Sequence, residues 1–231
     1  MRRISFSHYA IAFLFIGDIF VILAHIYLRG WLGFFDLDKE GSLKALFSGF
    51  QLLASGMGAG CIAYLALRLR ASRFVVSLWA VCSALFGYLA LDDMMMIHER
   101  VGFVLNNLTR LHGTYESFNW LLYFSPFIVL GAIAFVLVVR SLSGISVRAH
   151  ILAWIGLAGF VVTLLTEAGG KMLLSAGLIS IYHQSIILEE ASLLFGETFF
   201  LIALAVGASE LFKKAFMLRD NVAWNDAVFD E

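Results

Sequence analysis

Two stretches of this chain place ionisable groups inside segments that are otherwise apolar. One is Leu91-Asp92-Asp93-Met94-Met95-Met96-Ile97-His98-Glu99-Arg100, and the other is Glu189-Glu190 followed by Glu197. A carboxylate in the middle of a bilayer costs roughly 2.5–3.5 kcal/mol on insertion scales, so such groups need partners, water or a cation. Asp92 and Glu99 are seven residues apart, as are Glu190 and Glu197. Seven residues fall about 20° short of two helical turns, so each pair lies on one helix face about 10 Å apart.

Carboxylates with imidazole in a low-dielectric setting bind hard or borderline cations, or relay protons. The expected ligand set is Asp92, Asp93, His98, Glu99, His183, Glu190 and Glu197, with Asp18 and Glu167 as relay candidates. An oxygen-rich, nitrogen-poor set suits iron, manganese or zinc. Di-iron helical bundles use Glu-x-x-His with the histidine one turn from its carboxylate. Here His98 is six residues from Asp92, about 120° around an ideal helix. It joins the Asp92/Glu99 face only if the helix unwinds near Met94–Met96. The protein cations considered as neutralising partners are Arg100 and Lys171.

Other chemistries lack their motifs. His98-Glu99 continues Arg100-Val101-Gly102, so the zinc-protease helix is missing. The six histidines are never three or four apart, which excludes desaturase-type histidine boxes. There is no nucleophile elbow, phosphate-binding glycine loop or covalent haem-attachment site. Only a shared side of the membrane links His25 with His98 or His183, so axial haem ligation is not expected.

The elements that position these groups follow from composition. The 231 residues are 61% hydrophobic and 14% charged, against about 45–50% and about 25% in ordinary soluble domains. That composition, with a single proline (Pro126), predicts an all-α integral membrane helical bundle. A net charge of −1 gives no footprint for nucleic acid. Cys61 and Cys82 lie inside apolar runs and read as buried thiols.

About six spans are expected, near Tyr9–Leu28, Leu43–Leu67, Phe74 into the Asp92–Glu99 stretch, Trp120–Val139, His150–Glu167 and Ile186–Ala208. The fifth span is expected to end at Gly169-Gly170, leaving 172–185 as a re-entrant or interfacial piece. Gly56-x-x-x-Gly60 predicts close helix packing. Residues 1–219 form one helical membrane domain, and 220–231 a polar cytoplasmic tail. With the N-terminus inside, ten Arg and Lys fall on the inner segments and six on the outer ones, which places both termini in the cytoplasm. The third and sixth spans are then antiparallel, with Asp92 level with Glu197 and Glu99 level with Glu190.

Leu91-Asp92-Asp93-x4-His98-Glu99 after an apolar helix, with the later Glu189–Glu197 helix, resembles a pattern in uncharacterised bacterial polytopic membrane proteins. Their segment commonly reads Leu-Asp-Glu-x4-His-Glu, so Asp93 is the shorter carboxylate here. The resemblance implies a shared site and nothing about its reaction; the expected location is the bacterial inner membrane.

The first expectation is a metal or other cation bound by the acids, serving metal-dependent chemistry on a lipid-soluble substrate or metal sensing. The alternative is a proton- or cation-relaying transporter or channel subunit, favoured by the depth of Asp18. A third is a non-catalytic partner subunit, alone as a homo-oligomer or within a membrane complex. Membrane lipids surround the chain in every case.

Overall fold

The computed structural model describes residues 6–28, 31–37, 42–109 and 119–229. These residues form seven α-helices: α1 Phe6–Leu28, α2 Leu43–Arg68, α3 Arg73–Met95, α4 Ile97–Thr109, α5 Asn119–Ser143, α6 Val147–Ser175 and α7 Ile179–Phe229. A short 3-10 turn, Gly33–Phe35, lies between α1 and α2. Six of the helices are long and apolar enough to cross a membrane. The exception is α4, thirteen residues with apolar and polar faces.

Serine starts three of the helices. The side chains of Ser42, Ser72 and Ser146 accept from the backbone N–H of Ala45, Val75 and Ala149, meeting donors that a helix start leaves open. Met96 ends α3 in a left-handed conformation (φ 58°) and returns its N–H to the Asp92 carbonyl at 2.7 Å. The break near Met94–Met96 that His98 would need is therefore present, and α4 begins directly after it.

The expected end of the fifth span at Gly169-Gly170 is corrected. Helix α6 runs through both glycines to Ser175, turns at Gly177 (φ +75°), and α7 starts at Ile179. Residues 172–185 are thus the two arms of a helical hairpin and not a re-entrant segment. Lipid offers the backbone no hydrogen bonds, so a glycine pair keeps its helical bonds where water would loosen them. Helix α7 continues through the polar residues after 219 to Phe229.

Helices α6 and α7 make the most extensive contact, followed by α2 with α3 and α2 with α7. Small residues set the first of these. A β-carbon on Gly159 would lie 2.8 Å from the Gly196 Cα and from the Ser192 carbonyl oxygen, and one on Gly156 would lie 2.8 Å from the Gly196 carbonyl oxygen. Gly56 and Gly60 face the Ser83 carbonyl and hydroxyl, as their spacing predicts. Gly159→Ala should therefore destabilise the fold by about 1–3 kcal/mol through overpacking. Gly87→Ala, whose new methyl meets nothing within 4 Å, should be neutral or stabilising by up to about 1 kcal/mol. Unfolding of the two variants in mixed micelles checks this; equal effects would refute the close α6–α7 approach.

The core away from the acids is aromatic. Phe86, Phe135, Phe160 and Phe200 pack ring on ring with centroids 5.2–5.9 Å apart. The outer surface is apolar too: Phe13, Phe20, Leu130 and Leu165 are exposed. An apolar coat around buried polar groups suits a bilayer and no other solvent.

Candidate functional site

The site is built on one face of α2. Lys44, Ser48, Gln51 and Ser55 follow one another at intervals of four, three and four residues, and all are buried. That spacing is a helical stripe, rising about 16 Å from Lys44 to Ser55. Helix α7 faces it with Glu190, Glu197 and Thr198, α1 with Asp18, and the end of α3 with Asp93.

At the N-terminal end of α2 Lys44 Nζ lies 2.9 Å from Glu190 Oε2 and 3.3 Å from Asp93 Oδ1. One turn deeper, Ser48 Oγ donates to Glu197 Oε1 at 2.7 Å. Glu197 is 1% exposed and within electrostatic range of Lys44, Asp93 and Glu190. Deeper still, Gln51 Nε2 donates to Asp18 Oδ1 at 2.8 Å and Thr198 Oγ1 donates to Asp18 Oδ2 at 2.8 Å. Asp18 is fully buried. Four buried oxygens have no hydrogen-bond partner among the described residues: Asp93 Oδ2, Glu197 Oε2, Gln51 Oε1 and Ser55 Oγ. They run along the whole stripe.

Two helix ends work against their own dipoles here. Lys44 is the second residue of α2, where the positive end of the helix disfavours a cation. Asp92 and Asp93 sit in the last turn of α3, where the negative end disfavours anions. Because α2 and α3 are antiparallel neighbours, the two misplaced charges meet. Neither helix gains from its own terminal charge; the gain is in the pair.

The sequence expectations divide as follows. Asp93, Glu190 and Glu197 come together, with Asp18 below them. Asp92 is half-buried one residue from Asp93, and Glu189 is half-buried beside Glu190. Glu167 is half-buried on α6, one turn beyond Thr163, whose hydroxyl donates to the Glu189 carbonyl. His183 is exposed and stacks beside Tyr182. The side chains of His98, Glu99 and Lys171 lie outside the described residues. The direct pairing of the third and sixth spans is corrected: α3 and α7 each pack along α2, touching each other through Phe86 and Phe200. The neutralising cation is also corrected. Among the described residues the cation against the acids is Lys44, while the Arg100 side chain is exposed.

His25 lies two turns beyond Asp18 on α1, almost fully buried. Its Nδ1 accepts the Leu37 N–H at 3.0 Å. A nitrogen that accepts carries no proton, so Asp36 Oδ1, 3.6 Å away, is a polar neighbour and not an ion pair. His25 thus ties the loop after α1 to the bundle. Among the described residues no three His, Cys, Asp or Glu side chains converge in a metal-holding arrangement.

Lys44, Ser48 and Gln51 were not anticipated as site residues. Their signal was present as a polar stripe at helical spacing within the second span, but Lys44 at the edge of that span reads as a loop cation. The fold and site define a multi-pass helical membrane protein with a buried lysine–carboxylate network. The chain belongs to the family described as "Domain of unknown function (DUF8692)", which matches residues 11–207 and so spans every member of the network. No curated protein and no solved structure matches the chain.

Proposed function

We propose that this protein relays protons through the buried stripe, from the rim at Lys44 and Glu190 through Glu197 to Asp18, as a transporter or channel subunit. One observation carries the reading: among the described residues a single lysine, Lys44, confronts Asp93, Glu190 and Glu197, with Asp18 buried behind them. Like charges this close do not all ionise, so protons or a mobile cation must supply the balance. Exchange of that balancing charge is the chemistry available. The unpartnered oxygens mark where the next proton or a water would bind, and Ser48, Gln51 and Thr198 supply hydroxyl and amide links between the carboxyl groups.

A divalent metal (iron, manganese or zinc) in the same acids is the weaker reading. The Lys44 ammonium already occupies the place between Asp93 and Glu190 that a metal would take, so binding would have to displace it. His98 and Glu99 would then be the added ligands.

The membrane is proposed to be the bacterial inner membrane, with both termini in the cytoplasm and the acid-bearing ends of α2, α3 and α7 toward the outside. Ser143→Cys, at the C-terminal end of α5, should then resist labelling by an impermeant thiol reagent added to intact cells. Prompt labelling would invert the topology.

The functional test is proton flux into vesicles holding the purified protein, driven by an imposed potential and read with an internal pH dye. Flux should exceed that of empty vesicles, and Asp18→Asn should lower it to the empty-vesicle level. Wild-type vesicles no leakier than empty ones would end the relay reading. Stoichiometric metal in protein purified without chelator would favour the metal site instead.

A further inference from the structure

We infer that a cavity at the opposite end of the bundle binds the phosphate headgroup of an anionic membrane lipid. The cavity, about 390 Å³, opens between α5 and α6 and is lined by Val136, Arg140, Ser143, His150 and Trp154. It lies at the ends of two spans, Ser125–Ser143 and Val147–Leu174. Trp154 is about 10 Å inside the start of α6, so the cavity reaches from the headgroup level into the acyl region.

Its polar groups are sorted by what they already hold. His150 Nδ1 bonds the Val139 carbonyl at 2.8 Å, and His150 Nε2 accepts from the Trp154 indole N–H at 3.2 Å. Both ring nitrogens are therefore occupied, the imidazole carries its proton on Nδ1, and Trp154 is fixed edge-on to it. Neither is left to bind a ligand through nitrogen; together they form a rigid wall. The Ser143 hydroxyl donates to the Arg140 carbonyl. Arg140 is different. Its guanidinium is exposed and has no ion pair or hydrogen bond among the described residues, leaving five N–H donors in a planar fork that suits a phosphate.

The surroundings agree with an anion. Arg68, Arg70, Arg73, Lys213 and Lys214 sit on the same end of the bundle, where Glu210 is the acid described and is already paired with Lys213 at 2.9 Å. Basic pockets between transmembrane helices take acidic headgroups, and an interfacial tryptophan packs at the glycerol level. Val136, one turn deeper than Arg140, leaves an apolar floor for the acyl chain. A free phosphate could use the same guanidinium but would gain nothing from Val136 or the Trp154 face. This inference does not depend on the proton-relay reading.

The test is native mass spectrometry of the full-length protein in detergent, titrated separately with phosphatidylglycerol, phosphatidylcholine of matched chain length, and inorganic phosphate. Phosphatidylglycerol should bind about fivefold more tightly than phosphatidylcholine, the effect expected for one basic residue at the membrane surface. Arg140→Gln should erase that preference, while Arg148→Gln should keep it. Arg140 is a surface residue, so both variants should fold, and unchanged melting would verify this. Equal binding of the two lipids by the wild type, or a preference that survives Arg140→Gln, would overturn the proposal. Millimolar inorganic phosphate that displaces phosphatidylglycerol would reassign the cavity to a soluble anion.

Discussion

Lys44→Met should destabilise the protein by about 3–5 kcal/mol, a larger loss than that expected of Gly159→Ala at the α6–α7 crossing. Removing one partner of a buried ion pair leaves the other charge desolvated and unmatched, and that is the costly event. Here the loss is compounded, because Asp93 and Glu190 both lean on the same ammonium at 3.3 and 2.9 Å. The methionine chain fills much the same volume, so a cavity contributes little. The triple variant Lys44→Met, Asp93→Asn, Glu190→Gln should recover most of the loss, since replacing a whole buried ionic group with neutral residues is often close to neutral. Reversible unfolding in mixed micelles measures both. A single variant as stable as the wild type would mean that the ammonium is solvated and the cluster is an ordinary interfacial rim.

Glu197→Gln should separate function from stability. The amide oxygen still accepts from Ser48 Oγ, the bond now 2.7 Å long, and the side chain keeps its length. Interhelical hydrogen bonds of this kind average about 0.6 kcal/mol in membranes, so folding should shift by less than about 1 kcal/mol. Proton flux, in contrast, should fall by at least about tenfold, since the amide cannot carry the proton that a relay passes on. Ser48→Ala gives the converse: it removes the donor but keeps the titratable group, so the flux loss should be smaller than for Glu197→Gln. Should Glu197→Gln conduct like the wild type, Glu197 is a packing residue and the relay does not pass through it.

Both experiments centre on α2, which sequence reasoning treated as a packing helix because of Gly56 and Gly60. The packing role is real, as Ser83 shows by donating to the Gly56 carbonyl at 2.7 Å. Yet the same helix carries the polar stripe on another face. Charge counting along loops placed Lys44 with the outer-segment cations, whereas Ser42 caps α2 immediately before it and draws it into the first helical turn. Glu190 and Glu197 are both buried seven residues apart on α7, whereas the Met96 break puts Asp92 on α3 and Glu99 on α4, and Asp93 lies against Lys44.

What the sequence determined by itself is what depends on neighbours along the chain. A run of about twenty apolar residues spans a bilayer whatever surrounds it, so the all-helical membrane class and the six spans were legible from composition and length. An acid within such a run is conspicuous for the same local reason, which is why Asp18, Glu190 and Glu197 stood out. The tertiary structure decided which groups neutralise which. Lys44 and Asp93 are 49 residues apart in the chain, Ser48 and Glu197 149, and Thr198 and Asp18 180. Their meeting depends on α3 and α7 docking on α2, and on α1 docking on α7. No period within one helix encodes the rotation of its neighbour, so the partner of each buried charge is a property of the packed bundle.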